Sequence, residues 1–183
     1  MTPPSDGADD QRARELRARI RDIPNFPKPG ILFRDLTPLL GHGPSFGACV
    51  SWLAERIAPH RPDLIVAVES RGFLFGAPVA AALGLGFAPV RKPGKLPWQT
   101  HRQSYALEYG TDALEMHADA IPSGARVVIV DDLLATGGTA AATAQLVRAQ
   151  QAQVAAFAFV VELTALPGRG RLGDAAIEAL IQY

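Results

Sequence analysis

The sequence has almost no cysteine, no net charge and no long apolar run, and each shortage excludes a class of protein. Cys49 is the only cysteine among 183 residues, so no intrachain disulfide can form and we expect a reducing, cytoplasmic location. Lysine and arginine number 18 in total, as do aspartate and glutamate, which argues against broad nucleic-acid or anionic-membrane binding. The longest apolar run, Val154–Val161, is too short to cross a bilayer, and the N-terminal residues lack the apolar core of a signal peptide.

The residues that are present are typical of an ordinary globular protein. With 48% hydrophobic and 20% charged residues, the composition is that of a chain with a real core. Residues 1–9 are predicted to form a disordered tail and residues 10–183 a single domain. The stretch Asp10–Ile23 has apolar residues at helical spacing and predicts an amphipathic helix.

Strand-like and helix-like segments then alternate, which predicts an α/β fold with a mostly parallel central sheet and helices on both faces. Two alternating segments around Gly110 and Thr111 predict a hairpin. The strands expected in the sheet are Leu64–Val68, Phe87–Arg91, Arg126–Asp131, Val154–Val161 and Ala176–Tyr183.

The segment Arg126–Thr139 has the pattern of an anion-binding site. Four consecutive aliphatic residues predict a buried strand, two carboxylates come where it ends, and a glycine-rich, hydroxyl-rich turn leads into an alanine-rich helix. Such a turn exposes backbone N–H groups to a phosphate, the helix dipole favours an anion, and paired carboxylates suit a ribose diol. The residues predicted to bind phosphate and sugar are Asp131, Asp132, Ala135, Thr136, Gly137, Gly138 and Thr139.

Two further polar segments follow predicted strands and are candidates for a second anion site. Ser70 and Arg71 come directly after one buried strand, so they are expected at the same carboxyl edge of the sheet. Arg91, Lys92 and Lys95 form a cationic loop after the next strand. A basic run alone is more often a solvated surface, but beside a polyanion site it becomes a candidate clamp.

The string of strand, two acids, turn and helix closely resembles the phosphoribosyl-pyrophosphate (PRPP) signature of type I phosphoribosyltransferases. The resemblance implies that Asp131 and Asp132 bind the ribose hydroxyls, while Ala135–Thr139 grips the 5′-phosphate. It implies that the Ser70–Arg71 turn and the Arg91–Lys95 cluster hold the pyrophosphate. It also implies the type I phosphoribosyltransferase fold, with a mostly parallel central sheet flanked by helices, a flexible catalytic loop or hairpin, and a small N-terminal hood.

Four ordered blocks narrow the resemblance to the adenine phosphoribosyltransferase family. They begin at Phe26, Glu69, Arg91 and Val127 and together span nearly the whole chain apart from the N-terminal tail. The third block includes the sequence Tyr-Ala-Leu-Glu-Tyr-Gly, which is similar to the catalytic loop of that family.

This resemblance implies roles for residues outside the PRPP signature. Phe33 is expected to stack on the adenine base, and Leu32 and Arg34 are expected to contact its edge. Leu133 is expected to close the base pocket. Glu108, in the catalytic-loop block, is the expected catalytic residue, because the base nitrogen must lose a proton as it bonds to the sugar carbon.

The implied reaction converts adenine and PRPP to AMP and pyrophosphate, a step of purine salvage. Mg²⁺ is the expected cofactor, and it prefers phosphate oxygens and retained water. We therefore expect no direct protein ligand to the metal, which would be held mainly through PRPP. The family resemblance also implies a homodimer, and neither nucleic acid nor membrane is an expected partner.

Three alternatives stay open at this point. The base could be xanthine, or hypoxanthine or guanine, because purines differ in substituents whose recognition the sequence fixes poorly. The chain could be a non-catalytic regulator that senses PRPP, although the segment before the matching blocks is too short for a winged-helix domain. A generic Rossmann nucleotide-binding protein is disfavoured because the glycine fingerprint is missing.

Overall fold

The structure, a computed structural model, describes residues 6–106 and 111–183. It comprises two compact units, one that runs to Val50 and one that spans Ser51–Tyr183. Helix α3, Gly43–Ile57, contains the boundary between them. The prediction of one domain stays a prediction.

The described part of the first unit contains helices α1 and α2, the first part of α3 and a small antiparallel sheet. The bounds are α1 Asp6–Arg17, β1 Arg21–Pro24, β2 Leu32–Asp35 and α2 Thr37–Leu40. The helix predicted over Asp10–Ile23 therefore begins four residues earlier, inside the predicted tail, and ends earlier. The reason is local: Ile23 precedes a proline, which disfavours helical backbone, and it pairs instead with Phe33 of β2.

The second unit is built on a five-stranded sheet with the order β4-β3-β7-β8-β9, in which every neighbouring pair is parallel. This confirms the predicted parallel sheet. An antiparallel hairpin, β5–β6, forms a separate two-stranded sheet. The bounds are β3 Leu64–Val68, α4 Arg71–Leu83, β4 Gly86–Val90, β5 Thr100–Ala106, β6 Thr111–His117, β7 Arg126–Leu134, α5 Gly138–Ala149, β8 Gln153–Glu162 and β9 Ala176–Gln182.

Helices α4 and α5 cover opposite faces of this sheet, as predicted. Successive side chains of a strand point to opposite faces, and the backbone of Gly76 in α4 packs directly on Ala67 and Val130. The buried residues of α5 cluster instead with Val66 and Ile129, which point the other way. The central strands are therefore covered on both sides, which explains why they are continuously apolar.

The winding of the sheet reverses between β3 and β7. From β3 the chain passes through α4 to β4, whereas β7 pairs with the other side of β3 and continues through α5 to β8. Ligands of open parallel sheets bind at the carboxyl ends of the strands at such a reversal. The crevice beyond these two strands is therefore where a site is expected. No helix in the described part of the chain is long and apolar enough to cross a membrane.

Candidate active site

Strand β7 runs past the end of its neighbour β3 and carries the acid pair into the crevice. The β3 pairing of β7 stops at Val130, whereas the β8 pairing continues through Asp131 and Leu133. The two carboxylates thus lie within the strand rather than beyond it, which corrects the predicted strand end at Asp131. The sequence could not show this, because the extra strand length depends on β8.

A cavity of about 220 Å³ lies at this end of β7. It is lined by all seven residues predicted to bind phosphate and sugar, and also by Arg71 and Leu133. At its base α5 begins at Gly138, and the preceding Gly137 has left-handed backbone with φ +77°. Backbone N–H groups and the positive end of the helix dipole lie at one cavity, an arrangement that suits a phosphate.

The carboxylates of Asp131 and Asp132 form a pair with raised pKa values. Burial is the largest cause for both, and the charge of Asp132 adds to the rise at Asp131. Arg71 opposes the rise in the pKa of Asp132, because its Nε lies 2.8 Å from Oδ2. In the described part of the chain this oxygen accepts no hydrogen bond. The contact is therefore an ion pair in which the Nε–H of Arg71 does not point at the oxygen. The oxygen keeps the capacity to accept a hydrogen bond from a ligand hydroxyl.

A second cavity of about 280 Å³ adjoins the first. The two share four lining residues, Arg71, Asp131, Asp132 and Thr139. The second is also lined by Ser70, Lys92 and Tyr105. The structure therefore brings the predicted second anion site next to the predicted sugar site, although about sixty residues of sequence separate strand β3 from strand β7.

The three cations of the loop after β4 are placed differently from one another. Lys92 lines the second cavity. Arg91 and Lys95 instead bind the carboxylate of Glu69, with Nε–Oε2 2.7 Å and Nζ–Oε1 2.8 Å. The pKa of Glu69 lies below its ordinary value because hydrogen bonds from these cations outweigh its desolvation. Their predicted pyrophosphate contacts stay a prediction.

Lys92 is held in place by the hairpin. Its ammonium group forms an ion pair with Asp112, and it lies 3.4 Å from the hydroxyl of Tyr105. The Tyr105 hydroxyl in turn donates to Asp112 at 3.2 Å, and the two residues face each other across β5 and β6. The base of the hairpin therefore positions a cation at the edge of the second cavity.

The predicted base-binding residues Leu32, Phe33 and Arg34 lie on β2, in the first unit. Leu32 is 45% exposed. Phe33 packs edge-to-face on Phe26, with ring centroids 5.1 Å apart, and Arg34 forms an ion pair with Asp22. The strand thus presents an apolar surface with a fixed guanidinium. Its assignment to adenine stays a prediction.

Glu108, the predicted catalytic residue, lies outside the described residues, which resume at Thr111. The described strands on either side of that gap form the predicted hairpin: Tyr105 pairs with Asp112, and Ala106 with Thr111. The sequence placed the turn at Gly110 and Thr111, whereas Thr111 already belongs to β6.

Two glycines support the site and were not predicted from the sequence. A Cβ at Gly72 would lie 2.8 Å from Oδ1 of Asp131, so the start of α4 approaches the acid pair closely. A Cβ at Gly168 would lie 2.3 Å from the carbonyl oxygen of Ala135. Ala135 belongs to the turn Ala135–Thr139 at the first cavity, which we call the phosphate turn. Sequence pattern gives no signal for such contacts, because they join segments far apart in the chain.

Comparisons with known proteins agree with this geometry. The chain matches the phosphoribosyl transferase domain family over residues 40–171. A relative named adenine phosphoribosyltransferase, from Acaryochloris marina, is 56% identical over 169 residues, which cover 92% of this chain and 99% of the relative.

Solved structures of proteins with the same name are also similar. That from Thermoanaerobacter pseudethanolicus has a TM-score of 0.91 and 52% identity, covering 93% of this chain and 99% of the other. That from Saccharomyces cerevisiae was solved with D-2,5-dideoxy-2,5-imino-altritol 1,6-bisphosphate and adenine. It has a TM-score of 0.88 and 43% identity, with 93% and 99% coverage.

Proposed function

The chain belongs to the adenine phosphoribosyltransferase family, and from this premise we propose that it transfers the phosphoribosyl group of PRPP to adenine, releasing pyrophosphate and forming AMP. The observation that carries the proposal is the pair of adjoining cavities at the β3–β7 crevice. One offers paired carboxylates and a phosphate turn, and the other offers cations. A ligand in which a sugar lies between a phosphate and a pyrophosphate fits this spatial order of sites.

The first cavity would hold the ribose 5-phosphate half of PRPP. The turn Ala135–Thr139 and the start of α5 supply N–H groups and hydroxyls for the 5′-phosphate. Asp131 and Asp132 would accept hydrogen bonds from the vicinal ribose hydroxyls. Holding both ends of the sugar fixes the anomeric carbon, which lowers the entropic part of the barrier.

The second cavity would hold the pyrophosphate. Arg71 and Lys92 line it, and the Ser70–Arg71 turn lies at the start of α4. Cations placed there stabilise the charge that develops on the leaving pyrophosphate as its bond to the sugar lengthens. We assign Arg91 and Lys95 to the same anion as supporting cations, because Glu69 holds them beside this turn.

The donor set fits a hard divalent cation. The described residues contain no group of three or more side chains that could cage a metal, but Asp132 keeps spare acceptor capacity at Oδ2. We therefore propose that Mg²⁺ is held mainly through PRPP oxygens, with Asp131 and Asp132 contributing through retained water. When bound, Mg²⁺ would neutralise charge on the pyrophosphate.

The base and its proton are assigned to the remaining predicted residues. Phe33 would stack on adenine, Leu32 and Arg34 would contact its edge, and Leu133 would close the pocket. Glu108 would take up the proton that the base nitrogen loses as it bonds to the anomeric carbon. These assignments rest on the family to which the chain belongs.

We also propose a homodimer in a reducing, cytoplasmic location. The single cysteine, Cys49, is buried, and burial raises the pKa of its thiol to about 12, so it suits a compartment without disulfides. In the second unit Trp98 is 66% exposed and Leu74 is 44% exposed, and exposed apolar side chains are typical of contact surfaces. Light scattering of the purified chain measures the mass, and a monomer at micromolar concentration would contradict the dimer.

One assay tests the reaction. The purified protein is mixed with PRPP, Mg²⁺ and one purine at a time, and the nucleotide and pyrophosphate formed are measured. We expect AMP from adenine and little product from hypoxanthine, guanine or xanthine. Turnover of another purine in preference to adenine would show that this purine is the substrate instead. PRPP binding without any turnover would support a PRPP sensor.

A further inference from the structure

Gly168 lies in the segment between β8 and β9 and packs against the phosphate turn. It is buried, although Pro167 and Arg169 on either side are exposed. A Cβ at this position would lie 2.3 Å from the carbonyl oxygen of Ala135 and 2.9 Å from Cδ1 of Leu134. Real Cβ atoms essentially never approach backbone so closely, so only glycine fits without moving the turn.

The contact is reciprocal. A Cβ at Gly137 would lie 2.6 Å from the carbonyl oxygen of Gly168. Two backbones are therefore in direct contact, and one of them, Ala135–Gly137, lines the cavity assigned to the 5′-phosphate. Gly168 itself is not among the described residues that line either cavity, so it supports the turn from outside the cavity.

The segment that carries Gly168 is fixed on both sides. The backbone N–H of Leu163 donates to the carbonyl of Leu134 at 2.9 Å. Arg169 binds the buried carboxylate of Glu162 with two hydrogen bonds, one of them Nη2–Oε2 at 2.7 Å. Because these contacts hold the segment against the ends of β7 and β8, we expect a side chain at position 168 to displace the turn.

We infer that Gly168 is a positioning residue that sets the backbone of the phosphate turn, and therefore the affinity for the 5′-phosphate of the substrate. The inference rests on the proposed function. Its physical basis is that N–H donors act on a phosphate only within a narrow range of distance and direction. A turn displaced by a few tenths of an ångström or more loses part of those hydrogen bonds, while the pyrophosphate and adenine contacts remain.

The test compares Gly168→Ala with Gly170→Ala. The control glycine lies two residues away in the same segment, and a Cβ there would have no atom within 4 Å.

Ribose 5-phosphate and pyrophosphate are titrated separately against each protein by calorimetry, and KM is measured for PRPP and for adenine. For Gly168→Ala we expect the Kd for ribose 5-phosphate and the KM for PRPP to rise by about tenfold or more. Pyrophosphate affinity and the KM for adenine should change by less than about twofold, and Gly170→Ala should match the unmodified protein.

A second variant covers the case in which Gly168→Ala does not fold. Arg169→Gln removes the hydrogen bonds to Glu162 at a half-exposed side chain, so the support loosens while Gly168 is kept. We expect a smaller rise in the Kd for ribose 5-phosphate and again no change for pyrophosphate. The variants are checked by circular dichroism before titration.

The outcomes separate the inference from the proposed function. An unmodified protein that forms no AMP overturns the proposed function and the inference together. Normal turnover in the unmodified protein, with unchanged ribose 5-phosphate affinity in folded Gly168→Ala, overturns the inference alone. An equal loss of affinity for both probes also overturns it, because that result indicates general damage to the fold. If only Arg169→Gln folds, its unchanged ribose 5-phosphate affinity overturns the inference.

Discussion

At the scale of single residues, Asp131 links ligand binding to a cost in stability. Its pKa is raised well above the ordinary value by burial and by the charge of Asp132. A carboxyl with a raised folded-state pKa destabilises the fold when ionised, so stability falls as the pH rises above the unfolded-state pKa of about 3.9. The proposed sugar contacts thus retain two adjacent buried carboxyls whose ionisation destabilises the empty fold.

We expect Asp131→Asn to unfold at a higher temperature than the unmodified protein at pH 7 and to lose most of its activity. The variant lacks a carboxyl whose ionisation destabilises the fold, and each 1 kcal/mol gained corresponds to roughly 2–4 °C in Tm for a chain of this size. Thermal unfolding is measured from pH 7 down to about pH 3, where the carboxyl is protonated and the two proteins should converge. A variant less stable than the unmodified protein at pH 7 would contradict the raised pKa.

Glu108 carries the only catalytic assignment, and its prediction separates chemistry from binding. Glu108→Ala should lower kcat by about 10²- to 10⁴-fold, the usual contribution of a general acid or base. PRPP affinity should stay near that of the unmodified protein, because the pyrophosphate and 5′-phosphate contacts are assigned to other residues. Steady-state kinetics and a separate PRPP titration measure the two effects, and near-normal turnover would remove the assignment.

The basic run in the sequence did not show which of its cations would line the second cavity. Arg91, Lys92 and Lys95 form one basic run in the sequence, yet two of them bind Glu69 and one lines the cavity. Which cation faces the cavity depends on the position of Glu69 at the end of β3, twenty or more residues earlier. The same limit applies to Gly168, whose role depends on contacts with β7 and the turn after it.

At the scale of elements, the ion pair between Glu162 and Arg169 ties the end of β8 to the segment beside the phosphate turn. Hydrogen bonds from Arg169 are the largest cause of the lowered pKa of Glu162. Gln182 of β9 donates to the same carboxylate at 3.0 Å. A carboxyl with a lowered folded-state pKa stabilises the fold above the unfolded-state value of about 4.3 and loses that contribution as the pH falls through the folded-state value.

We therefore expect Glu162→Gln to be less stable than the unmodified protein at pH 7 and to approach it in stability below about pH 4. The variant leaves the Arg169 guanidinium without its carboxylate at neutral pH, whereas acid removes the same partner from the unmodified protein. Urea denaturation at a series of pH values measures the difference. A gap that persists unchanged at low pH would show that the packing of Glu162, rather than its charge, stabilises this region.

The central elements were predictable from the sequence, and the peripheral ones were less so. The buried strands of the sheet and helix α5 are where the apolar runs and the helix pattern placed them, because burial on both faces leaves a clear signal. The predicted end of α1 was wrong, because Ile23 fits the helical spacing of Leu16 and Ile20 but precedes a proline and pairs with Phe33 of β2 instead. The extension of β7 to Leu134 was missed, because it depends on a partner strand.

At the scale of the whole molecule, a net charge of zero conceals a dense cluster of charges of both signs around the second cavity. Arg71, Arg91, Lys92 and Lys95 gather there, and the proposed substrates differ sharply in charge. Adenine is neutral, whereas PRPP is a polyanion. Contacts of PRPP with these cations are therefore expected to weaken as salt screens them, whereas contacts with adenine are not.

We expect the KM for PRPP to rise several-fold between about 0.05 and 0.5 M KCl, because the screening length shortens from about 14 to 4 Å over that range. The KM for adenine should change little. Initial rates at fixed Mg²⁺ measure both, with the second substrate saturating. An equal rise in both values would indicate a general effect of salt on the protein rather than screening at the anion site.

The pairing of β3 with β7 has a consequence for how the protein matures during synthesis. The chain between them contains α4, β4 and both strands of the hairpin, so the ribosome synthesises the cations of the second cavity well before the strand that carries the acid pair. Contacts of such long sequence separation form late in folding because a large loop must close first. A nascent chain that ends before Arg126 thus has these cations without Asp131 and Asp132, and the capacity to bind PRPP should arise abruptly when β7 docks beside β3.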